Sequence, residues 1–141
     1  MQMRGRLEEL ERLGPWLQTL APLGDLDETT FQGVQLALYE LCANIIEHGQ
    51  HDWPPSDVTL WWVPTRHHFL IVDQGRPFAP PPWKPTDYGD ARVRRRGRGH
   101  GLDIVRRLAA VHFHPSSPVG NVTRLDLRIR GIHPHQEEIA S

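Results

Sequence analysis

Apolar residues recur every three or four positions through the first part of the chain, which is the spacing of an amphipathic helix. They run from Leu7 to Leu20, and Gly14 and Pro15 interrupt the pattern. Because proline breaks or bends a helix interior, we predict a first helix that is kinked or divided at this point. Residues 24–27 contain turn-forming side chains and predict a turn.

A second, longer helix is predicted next. Thr29 or Thr30 can cap its first turn, the apolar pattern extends to about His48, and Gly49 is suited to end it. Two neighbouring stripes of side chains, spaced by three or four residues, run along this helix. The apolar stripe consists of Val34, Leu38, Leu41 and Ile45, and the second stripe consists of Leu36, Glu40, Asn44 and His48.

Four short apolar runs in the rest of the chain predict strands, and residues 102–110 between them have helical spacing. The first two strands are joined by a polar turn, and the last two by a turn that contains Pro118 and Gly120. Helices grouped with such hairpins predict an α+β fold, a two-layer sandwich with a mixed, mainly antiparallel sheet and helices on one face. The predicted strands are residues 58–63, 69–73, 111–114 and 122–130.

Residues 75–96 contain five prolines and a run of arginines but little apolar periodicity. A loop of this length inside a compact domain usually has a function, such as forming a lid over a site. The chain length fits one domain, which we place at residues 1–131. Residues 132–141 are expected to form a flexible tail.

Composition restricts the class of protein. The chain has 141 residues with 16 basic and 17 acidic side chains, so its charge predicts no nucleic-acid and no membrane partner. Its apolar runs are shorter than the roughly 20 residues of a membrane span, and its N-terminal region lacks a signal-peptide pattern. The single cysteine, Cys42, cannot form an internal disulfide and is expected to be a buried thiol. We therefore expect a cytoplasmic protein.

On the second predicted helix, Glu40 and Asn44 stand one turn apart, so their side chains project from the same side. Mg²⁺ prefers hard oxygen ligands and keeps several waters, so one carboxamide oxygen together with phosphate oxygens can hold it. A carboxylate one turn earlier would lie near a terminal phosphate and could accept a proton from an attacking hydroxyl. The alternative is an ordinary solvated helix face.

The second predicted strand ends in Asp73, and Gly75 follows two residues later. A carboxylate at the end of a buried strand can accept a hydrogen bond from the 6-amino group of adenine, whereas the carbonyl of guanine at that position would be repelled. Glycine lets the backbone pass close to a base. The alternative is an ordinary strand that ends in an Asp-x-Gly turn.

Gly97, Gly99 and Gly101 alternate immediately before the third predicted helix. Glycines at such a junction let backbone N–H groups turn toward phosphate oxygens, and the helix dipole also favours an anion there. We assign Arg98, between two of these glycines, to the terminal phosphate. A flexible hinge is the alternative. The sequence has neither the P-loop pattern nor the Rossmann arrangement of a strand directly before its glycines.

Three motifs follow one another in the order Glu40-x3-Asn44-x3-His48, Asp73-x-Gly75-x-Pro77-Phe78 and Gly97-Arg98-Gly99-His100-Gly101-Leu102. Together they resemble the three ATP-site motifs of the GHKL (Bergerat-fold) ATPase superfamily. Within it, the chain resembles the anti-sigma-factor serine/threonine kinases of bacteria, over about residues 7–130. It departs from that pattern at His100, where an aliphatic residue is usual, and at Gln74, where Asn is common.

The resemblance implies a role for each motif residue. Glu40 resembles the catalytic base and Asn44 the Mg²⁺ ligand, and Arg98 would act with Glu40 in catalysis. Asp73 resembles the carboxylate that reads adenine, and Thr123 resembles a threonine on a late strand that supports the adenine contact. The implied nucleotide-binding residues are Asp73, Gly75, Phe78, Gly97, Arg98, Gly99, His100, Gly101, Leu102 and Thr123.

By the same resemblance, the chain is expected to bind ATP and Mg²⁺ and to act as a protein serine/threonine kinase. Its expected partners are a small anti-sigma-factor antagonist, which it would phosphorylate, and a sigma factor, which it would sequester. A homodimer is a further expectation, although the strand that opens such domains is reduced to residues 1–6 or missing. The alternative function is a nucleotide-dependent binding module without phosphotransfer. A histidine kinase would need a phosphoacceptor histidine on a long helix, and the first predicted helix has no histidine.

Overall fold

The structure, a computed structural model, describes residues 1–49, 56–77 and 101–128. Within these ranges, five strands form one sheet in the order β1-β2-β3-β5-β4, and every neighbouring pair is antiparallel. The strands are β1 (Gln2–Arg4), β2 (Asp57–Val63), β3 (His68–Asp73), β4 (Ala109–Ser117) and β5 (Gly120–Leu127). The α-helices are α1 (Leu13–Gln18), α2 (Glu28–Gly49) and α3 (Gly101–Leu108), and short 3-10 helices span Leu7–Arg12, Leu23–Asp25 and Pro64–Arg66.

Among the described residues, helices cover one face of the sheet and leave the other open, which confirms the predicted α+β sandwich. Every described strand pair is antiparallel, so this part of the chain does not contain the parallel pairing that a mixed sheet would have. Side chains of α1, α2 and α3 join those of the covered face in one apolar core. On the open face, Trp61 is 59% exposed and Asp126 forms ion pairs with the side chains of Arg124 and His112. Buried residues of the covered face stand opposite one another in the pairs Phe69–Leu125, Ile71–Thr123 and Asp73–Asn121.

The long helix α2 begins two or three residues earlier than the sequence predicted, because Asp27 rather than Thr29 or Thr30 caps it. The Asp27 carboxylate accepts hydrogen bonds from the backbone N–H of Thr30 at 3.0 Å and from its hydroxyl at 2.6 Å. These two hydrogen bonds lower the pKa of Asp27 from its ordinary value. Asp is as good a cap as Thr, and the Thr30 hydroxyl is used to hold that cap.

The apolar stripe predicted for α2 is buried against the sheet. On another side of the helix, Gly33 allows close contact with α3. A Cβ at position 33 would stand 2.8 Å from the Leu108 side chain. The helix that follows the glycine cluster is therefore packed tightly against the helix that carries Glu40 and Asn44.

The N-terminal elements differ in detail from the prediction. The helical segment is divided at Leu13, where a 3-10 helix gives way to α1, and Pro15 lies inside the first turn of α1. Proline is tolerated there because first-turn N–H groups have no partner within the helix. The opening strand is present but only three residues long, and its Met3 is buried opposite Val58.

The last hairpin is longer than predicted. α3 ends at Leu108, and β4 begins at Ala109 instead of two residues later. Ala109 pairs with Leu127, and the Leu108 carbonyl accepts a hydrogen bond from the Arg128 N–H at 2.7 Å. Strand pairing therefore decides a boundary that apolar spacing alone leaves ambiguous.

Several sequence predictions fall outside the described residues. These are most of the predicted lid, the predicted tail, and the residues Gly97, Arg98, Gly99 and His100 of the glycine cluster. Among the described residues, no helix is both long enough and apolar enough to cross a membrane.

Candidate functional site

A small cavity opens at the end of the sheet where β3 stops and β5 starts, beside α2. It brings together two predicted site residues, Asp73 and Thr123, with Ile45, which directly follows Asn44 on α2. Its lining also includes side chains that the sequence did not single out. The described lining residues are Ile45, Asp73, Arg76, Phe113, His114, Pro115, Asn121, Val122 and Thr123.

Asp73 is 4% exposed, and its two carboxylate oxygens are in different situations. Oδ1 accepts one hydrogen bond from the Gly75 N–H at 2.9 Å and one from the Asn121 amide at 3.0 Å. Among the described residues, none donates a hydrogen bond to Oδ2. A buried carboxylate is costly unless its oxygens are hydrogen-bonded, so Oδ2 is suited to accept a hydrogen bond from a ligand in the cavity.

Asn121 is the site residue that the sequence prediction missed. Its amide also donates to the Gly75 carbonyl at 3.0 Å, and its own carbonyl accepts a hydrogen bond from the Ser116 N–H at 3.0 Å. In the sequence, Asn121 appears only as a spacer between Gly120 and Thr123. Its position opposite Asp73 depends on strand register, which no local motif encodes.

The turn that leads into β5 requires glycine at position 120. Gly120 has a φ of 113°, and a Cβ there would stand 2.5 Å from the Asp73 carbonyl oxygen. The neighbouring Gln74 side chain donates to the Val119 carbonyl at 2.6 Å, which holds the two strand ends together. The backbone at the Asp73 end of the cavity is thus fixed by close contact as well as by hydrogen bonds.

We therefore expect Gly120→Ala to lower the free energy of unfolding by about 3 kcal/mol, because it combines positive-φ strain with a steric clash. Urea unfolding followed by circular dichroism would measure this. Val119→Ala is the matched control, since Val119 is the preceding residue and is 62% exposed. A Gly120→Ala variant as stable as that control would contradict the close approach.

Helical geometry places Glu40 and Asn44 on the side of α2 that faces α3. They follow Gly33 by seven and eleven residues, which at about 100° per residue puts all three within about 20° of one direction. Gly33 itself faces Leu108 of α3. Both predicted polar residues are half-buried, and neither side chain forms a hydrogen bond with another described residue. The carboxylate and the carboxamide therefore lie on the α3 side of α2, and neither residue is among the described residues that line the cavity.

The glycine cluster is described only at its end. Gly101 and Leu102 are the first two residues of α3, whereas Phe78, Gly97, Arg98, Gly99 and His100 lie outside the described residues. The cluster leads directly into a helix that packs on the Glu40 side of α2. For these residues, the phosphate-contact assignment remains a prediction.

The side chains near the predicted phosphate site include one suitable ligand for Mg²⁺. The Asn44 side chain offers a neutral carboxamide oxygen, which is a hard ligand of the kind Mg²⁺ accepts alongside phosphate and water oxygens. Among the described residues, no three His, Cys, Asp or Glu side chains converge to hold a metal by themselves. Asn44 thus fits a metal ion whose remaining ligands come from the nucleotide and from water.

Cys42 lies on the sheet side of α2 and is fully buried, as expected for a core thiol. Burial, and secondarily the nearby Asp73 carboxylate, raise the pKa of the Cys42 thiol to about 12. The electrostatic influence of Asp73 also shows that this part of α2 lies close to the end of β3.

The raised pKa of Cys42 predicts that the native thiol resists alkylation. At about pH 8 an exposed thiol is partly ionised and reacts readily, whereas native Cys42 should react at least about 100-fold more slowly than urea-unfolded protein. Because the folded pKa exceeds the unfolded one, this group favours unfolding only from about pH 9 upward. Mass-spectrometric timing of iodoacetamide labelling would check this, and equal rates for the two states would contradict it.

Comparisons with known proteins identify the family of the chain. A search of curated proteins returned no match. Among solved structures, the chain is similar in fold to the histidine kinase domain of the blue-light activated histidine kinase from Erythrobacter litoralis EL346. That match has 15% sequence identity and a TM-score of 0.48, and it covers 86% of this chain but only 59% of the other. The model of the histidine kinase-like ATPase domain matches residues 3–127, nearly the whole chain, and the chain therefore belongs to this family of ATPase domains.

Proposed function

We propose that the chain binds ATP with Mg²⁺ and transfers the γ-phosphoryl group to a serine or threonine of a partner protein. The observation that carries this proposal is the arrangement at Asp73, whose Oδ1 is held by two donors while Oδ2 is left for a ligand. Domains of the matched family bind ATP, and a carboxylate so placed suits the 6-amino group of adenine. Thr123 lines the same cavity and supports the contact.

The triphosphate would extend from the cavity toward the junction of α2 and α3. Ile45 marks the cavity edge, and Asn44 beside it would take one coordination position of Mg²⁺. Bound Mg²⁺ supplies positive charge that neutralises the phosphates. The glycines up to Gly101 would offer backbone N–H groups, and Arg98 would pair with the terminal phosphate.

Glu40 is the side chain suited to remove a proton from the acceptor. It stands one turn before Asn44 on the same side of α2 and makes no hydrogen bond with another described residue. Its carboxylate would take the proton of a serine or threonine hydroxyl as that oxygen bonds to the γ-phosphorus. The bond from this phosphorus to the oxygen that bridges it to the β-phosphate would break, and ADP would leave. A pure binding module needs no such base.

The partners follow from the motif resemblance. A small anti-sigma-factor antagonist would be the acceptor, and a sigma factor would be the second partner, held or released according to the bound nucleotide. A homodimer would belong to the same arrangement, with β1 at one edge of the described sheet.

The experiment is transfer of label from ATP radiolabelled at the γ-phosphate to purified antagonist-type proteins, followed by identification of the labelled residue. The proposal expects Mg²⁺-dependent label on serine or threonine. ATP binding by calorimetry together with no label on any acceptor would reject the kinase and leave the nucleotide-dependent binding module. Absence of ATP binding would reject both.

A further inference from the structure

Both N–H groups and the oxygen of the Asn121 side-chain amide form hydrogen bonds within the site. Its two N–H bonds point to Asp73 Oδ1 and to the Gly75 carbonyl, and its oxygen accepts the Ser116 N–H. A flipped amide would place its oxygen against two acceptors, so only one orientation satisfies the surroundings. This side chain is therefore oriented by all three of its partners.

These partners belong to two separate parts of the fold, the end of β3 and the end of β4. Asp73 ends β3, and Gly75 lies two residues beyond it. Ser116, with a φ of 56°, lies in the irregular part of β4 where the pairing with β5 shifts register. Asn121 is 8% exposed and Asp73 is 4% exposed, so their hydrogen bond is shielded from water. A shielded hydrogen bond to a carboxylate is among the stronger and more directional contacts in proteins.

We propose that Asn121 is a positioning residue, which fixes the Asp73 carboxylate so that only Oδ2 faces the base and thereby sets the preference for a 6-aminopurine. The inference rests on the proposed function. With the Asn121 amide in place, rotation of the carboxylate would break one of the two bonds at Oδ1. Without it, the Asp73 carboxylate can rotate, so Oδ2 is no longer held toward the 6-amino group of the base. The preference for a 6-aminopurine over a base with a carbonyl at position 6 then falls.

The first test compares ATP with inosine triphosphate, which differs at the 6-position of the base. Calorimetry in the presence of Mg²⁺ gives the ratio of the two affinities. Wild type should favour ATP by about 100-fold, as sites with a buried polar partner can, and Asn121→Ala should reduce that ratio about tenfold. If Asn121 had only a structural role, Asn121→Ala would weaken the binding of both nucleotides equally and leave the ratio of their affinities unchanged.

Ser117→Ala is the matched control. The Ser117 hydroxyl donates to the Gly120 carbonyl at 2.6 Å in the same turn, whereas the described donors to the Asp73 carboxylate are Gly75 and Asn121. Its loss should leave the ratio within about twofold of wild type. A ratio unchanged in Asn121→Ala, or lowered equally in Ser117→Ala, overturns the inference while the proposed function stands. Equal affinity of wild type for both nucleotides overturns the adenine contact, and no ATP binding by wild type overturns the proposed function with it.

A second variant covers the case in which Asn121→Ala does not fold. Asn121→Asp places two carboxylates side by side, and such a pair holds one proton more readily than either acid alone. Its affinity for ATP should rise about tenfold as the pH falls from about 8 to about 5, when the shared proton restores a donor to Asp73. Other charged or titratable groups near Asp73 are Arg76, Cys42 and His114. Wild type retains all three of these groups, so its own pH profile shows how much they contribute to the pH dependence of ATP affinity. Identical pH profiles for wild type and Asn121→Asp would overturn the inference.

Discussion

Asp73→Asn is expected to weaken ATP binding about 100-fold and to reverse the preference between ATP and inosine triphosphate. The two donors at Oδ1, from Gly75 and Asn121, must still face an oxygen in the variant. The new NH₂ group would therefore occupy the Oδ2 position. There it opposes the 6-amino group of adenine, since both are donors, but it matches the 6-carbonyl of hypoxanthine.

Calorimetric titration of both nucleotides with Mg²⁺ measures this exchange of preference. Asp126→Asn is the matched control, because it makes the same chemical change on the open face of the sheet, where Asp126 pairs with His112 and Arg124. The control should bind both nucleotides as wild type does. If Asp73→Asn keeps the wild-type affinity for ATP, Asp73 does not contact the base.

Glu40→Gln is expected to lower the rate of phosphoryl transfer by a factor of about 10² to 10⁴ while ATP affinity changes by less than about twofold. Glutamine has nearly the same shape but cannot accept the hydroxyl proton. The Glu40 side chain makes no hydrogen bond with another described residue, so the substitution should not disturb α2. Single-turnover transfer to the acceptor, with nucleotide binding measured separately, distinguishes the two effects.

Glu28→Gln serves as the control for this experiment. Glu28 lies in the first turn of the same helix, where it accepts a hydrogen bond from Gln32 at 2.9 Å, about 18 Å along the helix from Glu40. Transfer by this variant should equal that of wild type. Full activity of Glu40→Gln would remove Glu40 as the base, and equal loss in both variants would indicate a general effect on the helix.

The sequence predicted most of the fold because its longest elements have strong periodic patterns. The apolar stripe of α2 is buried, as Leu38 and Leu41 illustrate, and the hairpins lie where the short apolar runs are. Asp73 and Thr123 could be proposed for one site only through family resemblance, and the structure places both at one cavity.

What the sequence could not supply depends on contacts between distant residues. The role of Asn121 follows from a register that sets it opposite Asp73, 48 residues away in sequence. The boundary between α3 and β4 is decided by the pairing of β4 with β5. The N-terminal cap of α2 is Asp27, although two neighbouring threonines could also cap a helix. In each case several local solutions have similar energies, and tertiary structure selects one.

The central claim is that Asp73, the Asn44 region of α2 and the start of α3 contact one ATP molecule. Two-dimensional NMR of backbone amides during titration with Mg-ATP tests it most directly. We predict that the amides of Asn44, Gly75 and Gly101 shift together with one common affinity, whereas those of Val63 and His68, at the other end of the β2–β3 pair, stay unchanged. Shifts confined to one of these three regions, or shifts with separate affinities, would contradict a shared nucleotide site.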